Sequence, residues 1–134
     1  VNSLKKKIND YKLNKNFKIL RYLNEDSYKI INNFDLLISL TRDFEAFGYS
    51  IAEALYVKTP VICTNVGGIT EFVNSQNAII IKPKRRDLIT KSLKEFLLKK
   101  GSIQKKKTNG FKIITKKFNS DIMSKKFLMY FSNA

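Results

Sequence analysis

The chain has 134 residues, 43% of them hydrophobic, and its 26 lysines and arginines outnumber its 11 acidic residues, for a net charge of +15. This length and hydrophobicity indicate one folded domain and exclude wholesale disorder, and no apolar run approaches the ~20 residues of a membrane-spanning helix. The absence of histidine excludes Ser-His-Asp triads and histidine-liganded zinc, while a single cysteine, Cys63, cannot form an internal disulfide and fits a reducing cytoplasm.

The positive charge has several interpretations, and the charge alone does not decide among them. Lysine, asparagine and isoleucine are abundant throughout the chain, which is typical of a compositional bias. A surface rich in lysine also attracts anionic membranes. Nucleic-acid recognition favours the arginine fork, yet only four of the 26 basic residues are arginine. No nucleic-acid partner is therefore expected, while an anionic membrane surface stays open.

The first third of the chain predicts two helices and two strands. Apolar residues recur at helical spacing among the lysines of residues 4–11, which predicts a helix. Residues 17–20 (FKIL) predict a short strand, and residues 27–33 predict a short helix that Ser27 caps. Residues 35–40 (DLLISL) form a nearly continuous apolar run, which indicates a buried strand.

The middle of the chain continues this alternation. A helix buried on most of its sides is predicted over residues 50–56, and an apolar strand follows over residues 60–64 (PVICT). The Gly-Gly pair at residues 67–68 predicts a turn that leads into a short helix around residues 70–73. Residues 78–81 (AIII) predict the fourth strand of the chain.

The last third predicts two helices separated by a lysine-rich stretch. One helix is expected over residues 87–98 and the last over residues 120–131, with residues 105–107 (KKK) between them. The last helix is expected to turn four apolar side chains inward, namely Ile122, Met123, Phe127 and Tyr130. Apolar strands that are each followed by a helix indicate a parallel sheet covered on both faces. The predicted fold class is therefore α/β, with a parallel sheet of about four strands.

Chemistry is expected in the loop that follows residues 35–40, because ligands of parallel sheets bind beyond the carboxyl ends of the strands. Helix N–H groups at Gly48, Tyr49 and Ser50 can bind a phosphate, helped by the helix dipole. Glu45 lies where it can accept hydrogen bonds from sugar hydroxyls, and Glu53 can bind the vicinal hydroxyls of a ribose. The alternative interpretation makes Glu45 a capping carboxylate and Glu53 a solvated helix residue.

A longer pattern in residues 34–73 extends beyond this loop. In chain order it consists of an Asp and a Ser on an apolar strand, a Glu-x7-Glu motif around Phe-Gly, a Pro-Val-Ile strand, a Gly-Gly turn and a Glu: Asp35, Ser39, Glu45, Glu53, Pro60–Ile62, Gly67–Gly68 and Glu71. This pattern resembles the C-terminal domain of the retaining GT-B glycosyltransferases known as group 1 glycosyl transferases. Looser similarity extends from Phe17 to the last predicted helix.

The resemblance implies roles for the motif residues. Glu45 would be the catalytic residue that contacts hydroxyls of the transferred sugar, and Glu53 would bind the ribose of the nucleotide. The residues implied to lie against the sugar and the diphosphate are Phe47, Gly48, Tyr49 and Ser50. Together these roles explain why two carboxylates flank the start of one helix.

Four further residues have looser assignments. The resemblance places Arg21 and Tyr22 in a loop that contacts the base of the donor. Gly67 and Gly68 would border the acceptor side, although a plain strand-to-helix turn explains these glycines equally well.

The resemblance also implies a reaction. Such enzymes transfer a sugar from a nucleotide-diphosphate donor to an acceptor hydroxyl with retention of the anomeric configuration, and the pattern requires no metal or cofactor. UDP, GDP and ADP sugars all fit. Relatives that build bacterial surface polysaccharides or glycolipids suggest a cytoplasmic protein, peripheral at the inner face of an anionic membrane. A non-catalytic nucleotide-sugar-binding fragment or a basic interaction module is the alternative.

The chain is expected to match only part of the family's domain. We expect residues 1–134 to form one partial nucleotide-sugar-binding domain, without the N-terminal domain and without two strand-helix units whose Arg and Lys neutralise the diphosphate. In the family's strand order 3-2-1-4-5-6, the two absent strands lie between residues 17–20 and residues 35–40. Either these two segments pair directly in a four-stranded sheet or another chain fills the space. Lys58 also departs from the pattern, which usually has a small residue there.

Overall fold

The computed structural model describes residues 1–20, 26–98 and 100–132. Helices and strands alternate as the α/β prediction requires. The elements in chain order are α1 (Asn2–Asp10), α2 (Ser27–Ile31), β1 (Leu37–Ser39), α3 (Tyr49–Tyr56), β2 (Val61–Thr64), a 3₁₀ helix (Gly67–Glu71), β3 (Ile79–Ile81), α4 (Arg86–Leu98), α5 (Lys100–Lys117) and α6 (Ser120–Ser132). None of the described helices combines the length and the apolar composition that crossing a membrane requires.

The described residues form a parallel sheet in the order β1-β2-β3. Leu37 of β1 lies opposite Val61 of β2, and Cys63 of β2 lies opposite Ile80 of β3. Every residue of β2 is buried. This central strand explains the unbroken apolar sequence of residues 61–63, because a strand covered on both faces has no solvent side for a polar residue.

The predicted strand at residues 17–20 is wrong. These residues form no strand, and Phe17 and Leu20 remain 54% and 48% exposed. β1 pairs with β2 alone among the described residues, so the direct pairing of residues 17–20 with residues 35–40 is also wrong. An apolar run becomes a strand only where a neighbouring strand supplies hydrogen-bond partners, and no described strand lies beside this one.

The core lies between the sheet and two helices, α3 and α5. Ile51, Ala54 and Leu55 of α3 are almost completely buried. Gly110 of α5 lets the two helices approach closely, since a Cβ atom there would lie 2.6 Å from Cδ2 of Leu55. Because α5 runs from Lys100 to Lys117, residues 105–107 lie within a long helix rather than between two helices, as the sequence had predicted.

The last helix has the predicted bounds but not the predicted burial. Ile122 is partly buried, whereas Met123, Phe127 and Tyr130 are 71%, 61% and 80% exposed. The expectation that these three side chains point inward is wrong. Periodicity identifies which residues share a helix face, but burial requires a partner, and none of the described elements covers this face.

Lys58 lies where the resemblance leads us to expect a small residue, and its backbone explains that preference. Its φ of 60° is in the left-handed region, which is uncommon for residues other than glycine. The Lys58 Nζ atom lies 4.6 Å from the centre of the Phe111 ring, a cation–π contact that offsets part of the backbone strain.

Candidate functional site

The loop between β1 and α3 is attached to the neighbouring strand by hydroxyl groups. The Oγ1 of Thr64, the last residue of β2, donates a hydrogen bond of 2.7 Å to the carbonyl oxygen of Thr41. The Thr41 Oγ1 lies 3.4 Å from Oε2 of Glu45, toward which it donates a longer hydrogen bond. Thr64 thus positions the backbone that leaves β1, and Thr41 restricts the direction of the Glu45 carboxylate.

Two glycines of the 3₁₀ helix lie directly against this loop. The Gly68 N–H donates a hydrogen bond of 2.9 Å to the carbonyl oxygen of Glu45. A Cβ atom would lie 2.2 Å from the Glu45 oxygen at Gly67 and 1.9 Å from the Ala46 oxygen at Gly68, distances that no side chain tolerates. Close backbone packing therefore explains both glycines, and their predicted place at the acceptor side stays a prediction.

The N-terminus of α3 has backbone N–H groups that are arranged to bind an anion. Gly48 precedes the helix with φ 84° and ψ 55°, a left-handed conformation that glycine adopts without strain. No side chain caps this helix within the described residues. The N–H groups of its first turn, at Tyr49 and Ser50, therefore point out of the helix and can bind an anion. The interpretation of Glu45 as a capping carboxylate is wrong.

Aromatic side chains pack against the loop between β1 and α3 on its core side. The Phe47 ring lies 5.0 Å from the ring of Phe72 and 5.5 Å from that of Phe118, measured between centroids. Phe72 is buried, so it anchors this cluster. Tyr49 contacts the other side of Phe47 at 5.1 Å but is itself 74% exposed. The Phe47 side chain thus faces the core, while Tyr49 remains available to a ligand.

Glu53 lies one and a half turns into α3 and is bound by a residue of α2. The Ser27 Oγ donates a hydrogen bond of 2.7 Å to Oε1 of Glu53. Glu53 is therefore not merely a solvated helix residue. The prediction that Ser27 caps its own helix is wrong, because Asp26 is the N-cap residue and no side chain caps α2. Ser27 is the first residue inside α2 rather than the residue before it, so its hydroxyl does not occupy the capping position and instead donates to Glu53.

Other predicted or reactive residues contribute less. Arg21 and Tyr22 lie outside the described residues. Burial raises the pKa of the Cys63 thiol to about 12, so this cysteine is not a thiolate nucleophile near neutral pH. Within the described ranges, no three Cys, Asp or Glu side chains lie close enough together to share a metal ion.

Sequence reasoning missed Ser27, Thr41 and Thr64 as supporting residues. Ser27 and Thr64 act on partners 26 and 23 positions away in the chain, so no local pattern marks them. Thr41 is only four residues before Glu45, and a hydroxyl at that spacing was the one available signal.

Comparison with known proteins identifies the family of the chain. The sequence model of the family described as glycosyl transferases group 1 matches residues 1–113. The chain belongs to this family.

Solved structures share the fold over almost the whole chain. HepE of Anabaena in complex with UDP-glucose matches 99% of the chain with a TM-score of 0.91 and 19% identity. A glycosyltransferase from Rickettsia africae ESF-5 matches 98% of it with a TM-score of 0.90 and 24% identity. The chain covers 36% and 35% of these two proteins. The predicted architecture, an incomplete Rossmann-like GT-B C-terminal domain, is confirmed with three described strands instead of four.

A curated relative gives a shorter match. The alpha-1,3/1,6-mannosyltransferase ALG2 of Rhizomucor pusillus is 26% identical over 83 residues, which are 62% of the chain and 18% of that protein. The chain thus spans about a third of the solved relatives and less than a fifth of the curated one.

Proposed function

We propose that this chain forms part of the donor site of a retaining glycosyltransferase, which transfers a sugar from a nucleotide-diphosphate donor to an acceptor hydroxyl. The observation that carries the proposal is the uncapped start of α3 between two carboxylates, each with a hydroxyl donor beside it. Family membership supports the proposal, as do the complex of HepE with UDP-glucose and the mannosyltransferase named ALG2.

Glu53 is assigned to the ribose of the donor. Its Oε1 accepts the hydrogen bond from Ser27, which leaves Oε2 to accept hydrogen bonds from ribose hydroxyls. Because Ser27 restrains the carboxylate before the donor arrives, less rotamer freedom is lost on binding. Ser27 is thus a positioning residue in this proposal, and Glu53 is the binding residue.

Glu45 is assigned to the hydroxyls of the transferred sugar, beside the reacting carbon. In the reaction the bond between the anomeric carbon and the diphosphate oxygen breaks, and a bond from that carbon to the acceptor oxygen forms. The diphosphate leaves with the electron pair of the broken bond and takes up the proton that the acceptor hydroxyl loses. The N–H groups of Tyr49 and Ser50 stabilise the charge that develops on it, as oriented donors do in other transfer reactions.

The remaining parts of the site are assigned to the rest of a longer enzyme. Residues 1–134 would then be one partial domain, next to an N-terminal domain and further strand-helix units that supply the acceptor site and two cations for the diphosphate. The coverage of about a third of the solved relatives supports this assignment. So does the outer edge of β1, which is unpaired within the part of the chain that the structure describes. Arg21 and Tyr22 are assigned to the base of the donor.

The net charge of +15 suggests a place of action. We assign the protein to the cytoplasmic face of an anionic membrane, where relatives build surface polysaccharides or glycolipids. Binding to vesicles is then expected to rise with the fraction of anionic lipid and to fall with salt. Sedimentation with neutral and anionic vesicles measures this. Equal, weak binding to both would leave compositional bias as the reason for the charge.

The donor-site assignment is tested by NMR titration of the ¹⁵N-labelled chain with UDP-glucose and GDP-mannose. The backbone amide signals of Tyr49 and Ser50 are expected to shift with the donor concentration. Glu53→Gln should weaken binding by about tenfold or more, because a charge-assisted hydrogen bond contributes ~1.5–3 kcal/mol. Glu95→Gln, an exposed change on α4, is the matched control. Equal affinities of the two variants would contradict the assignment of Glu53.

A further inference from the structure

A cleft of about 410 Å³ lies at the carboxyl ends of all three strands, a volume typical of small-molecule sites. Thr41 after β1, Thr64 of β2 and Ile81 of β3 line it, and Leu40 and Ile89 add apolar surface. The other five lining side chains are basic, and we call it the cationic cleft after them: Arg42, Lys82, Lys84, Arg85 and Arg86. None of the described acidic side chains lines it.

The charge of the cleft is only partly neutralised. Asp43 forms an ion pair of 2.8 Å with Lys84, which ties the turn after β3 to the loop after β1. Asp87 forms a two-fold hydrogen-bonded pair with Arg85. Among the described residues, the other three cations of the cleft form no ion pair: Arg42, Lys82 and Arg86. Arg42 also interacts electrostatically with Asp43, so two carboxylates offset part of the charge of five cations and the cleft keeps an excess of positive charge.

Compositional bias does not explain this arrangement. Lysine is abundant over the whole chain, but three of its four arginines line this one cleft. Arg42 lies in the loop after β1, and Arg85 and Arg86 lie more than 40 positions later, at the start of α4, so the parallel order of the strands brings them together. Arginine presents a planar fork that binds phosphate oxygens in pairs, which lysine does not.

The cleft is distinct from the donor site proposed above. None of Glu45, Glu53 or the residues 47–50 lines it. Thr41 connects the two, because it lines the cleft and donates toward the Glu45 carboxylate. A group bound in the cleft would thus lie one side chain away from the residue assigned to the transferred sugar.

We propose that the cationic cleft binds a phosphate or diphosphate group of a molecule other than the sugar donor. In this proposal Arg42 and Arg86 bind its oxygens, and Thr41 and Thr64 line the same cleft. The further role of this molecule as an anionic acceptor rests on the proposed function. The phosphate binding itself does not depend on that function.

The test uses inorganic pyrophosphate and the 134-residue chain in NMR titrations that resolve the arginine Nε–Hε signals. Pyrophosphate is expected to shift the signals of Arg42, Arg85 and Arg86. Shifts confined to the amides of Tyr49 and Ser50 would overturn the proposal, because they would report binding at α3 only. Conversely, arginine shifts with pyrophosphate but no amide shifts with a nucleotide sugar would leave the cleft intact and contradict the proposed function.

Paired variants separate a specific cleft from general attraction. Arg42→Gln with Arg86→Gln removes two charges from the cleft, and Lys116→Gln with Lys125→Gln removes two exposed charges from α5 and α6. We expect about fivefold weaker pyrophosphate binding per arginine, which is ~1 kcal/mol each, and less than a twofold change in the control. Equal losses in both double variants would overturn the proposal. Circular dichroism checks that both fold, as expected for exposed residues.

Vesicles then identify the source of the phosphate. A lipid headgroup in the cleft is supported if the arginine double variant loses more binding to phosphatidic acid vesicles than the lysine control does. Free pyrophosphate should then also displace the unchanged protein from these vesicles. Equal vesicle binding by the two double variants, together with the pyrophosphate difference, supports a soluble phosphorylated molecule.

Discussion

Most apolar side chains are exposed in the flanks, residues 1–20 with α6, whereas the motif region, residues 34–73, buries many of them. Leu55 in the motif region is 1% exposed, whereas Phe17 and Tyr130 in the flanks are 54% and 80% exposed. Apolar periodicity therefore specifies a helix or strand, while burial also requires a neighbouring element to pack against. Under the proposed function the partner of the flanks is the rest of a longer enzyme. Exposed flanks and an incomplete donor site then have one cause.

The largest expected effect is on the affinity for the sugar donor, because under the proposed function the missing rest of the enzyme both covers the flanks and completes the donor site. We expect the 134-residue chain to bind UDP- or GDP-sugars no better than about millimolar and to transfer no sugar, since two cations opposite the diphosphate would come from elsewhere. Charge-assisted contacts of ~1.5–3 kcal/mol each imply a loss of roughly two to four powers of ten. Calorimetric titration and a transfer assay measure this. Micromolar binding or detectable transfer would show that the donor site is complete in this chain, and the exposed flanks would then need another explanation.

A second prediction compares the stability that one aromatic residue provides in each region. Phe72→Ala should lower the free energy of unfolding by ~3–5 kcal/mol, because it leaves a cavity beside the rings of Phe47 and Phe118. Tyr130→Ala should change it by less than ~0.5 kcal/mol, since the side chain is largely exposed. Urea unfolding measures both. A loss at Tyr130 as large as that at Phe72 would show that the flank is packed in solution.

A third and smaller contrast uses glycine. Gly68→Ala should lower the free energy of unfolding by at least ~2–3 kcal/mol, because the new Cβ meets a carbonyl oxygen that no rotamer change can avoid. Gly101→Ala is the matched change in α5, where no atom lies within 4 Å of the added Cβ, and it should raise stability by up to ~1 kcal/mol. Thermal unfolding compares them. If both changes were neutral, the tight packing of the 3₁₀ helix against the motif loop would be refuted.

Local patterns predicted most helices and strands to within a few residues. The strand predicted over residues 35–40 is β1, that over residues 60–64 is β2 and that over residues 78–81 is β3. These segments needed only a continuous apolar sequence and a turn at each end. The same reasoning failed at residues 17–20, where the sequence is apolar but no described strand lies alongside.

The missed helix α5 had a signal that the lysines obscured. Ile103, Gly110 and Ile114 recur at spacings of about one or two helical turns, and Gly110 packs against Leu55 of α3. Lys106 lies within the same helix and is partly buried, where its Nζ donates hydrogen bonds to the carbonyl oxygens of the loop before β3. A lysine-rich stretch was thus interpreted as a break although its charge has a structural partner.

Local sequence patterns were sufficient to predict the α/β class, the positions of β1, β2 and β3 and the place of Glu45 and Glu53 around the start of a helix, because residues close together in the chain specify each strand and helix. The same patterns also predicted a fourth strand, at residues 17–20, that does not form. The hydrogen bond from Ser27 to Glu53 and the packing of two glycines against the motif loop became visible only in the tertiary structure. It alone decided that three arginines share a cleft. These contacts join residues more than 20 positions apart, and parallel strand order brings them together.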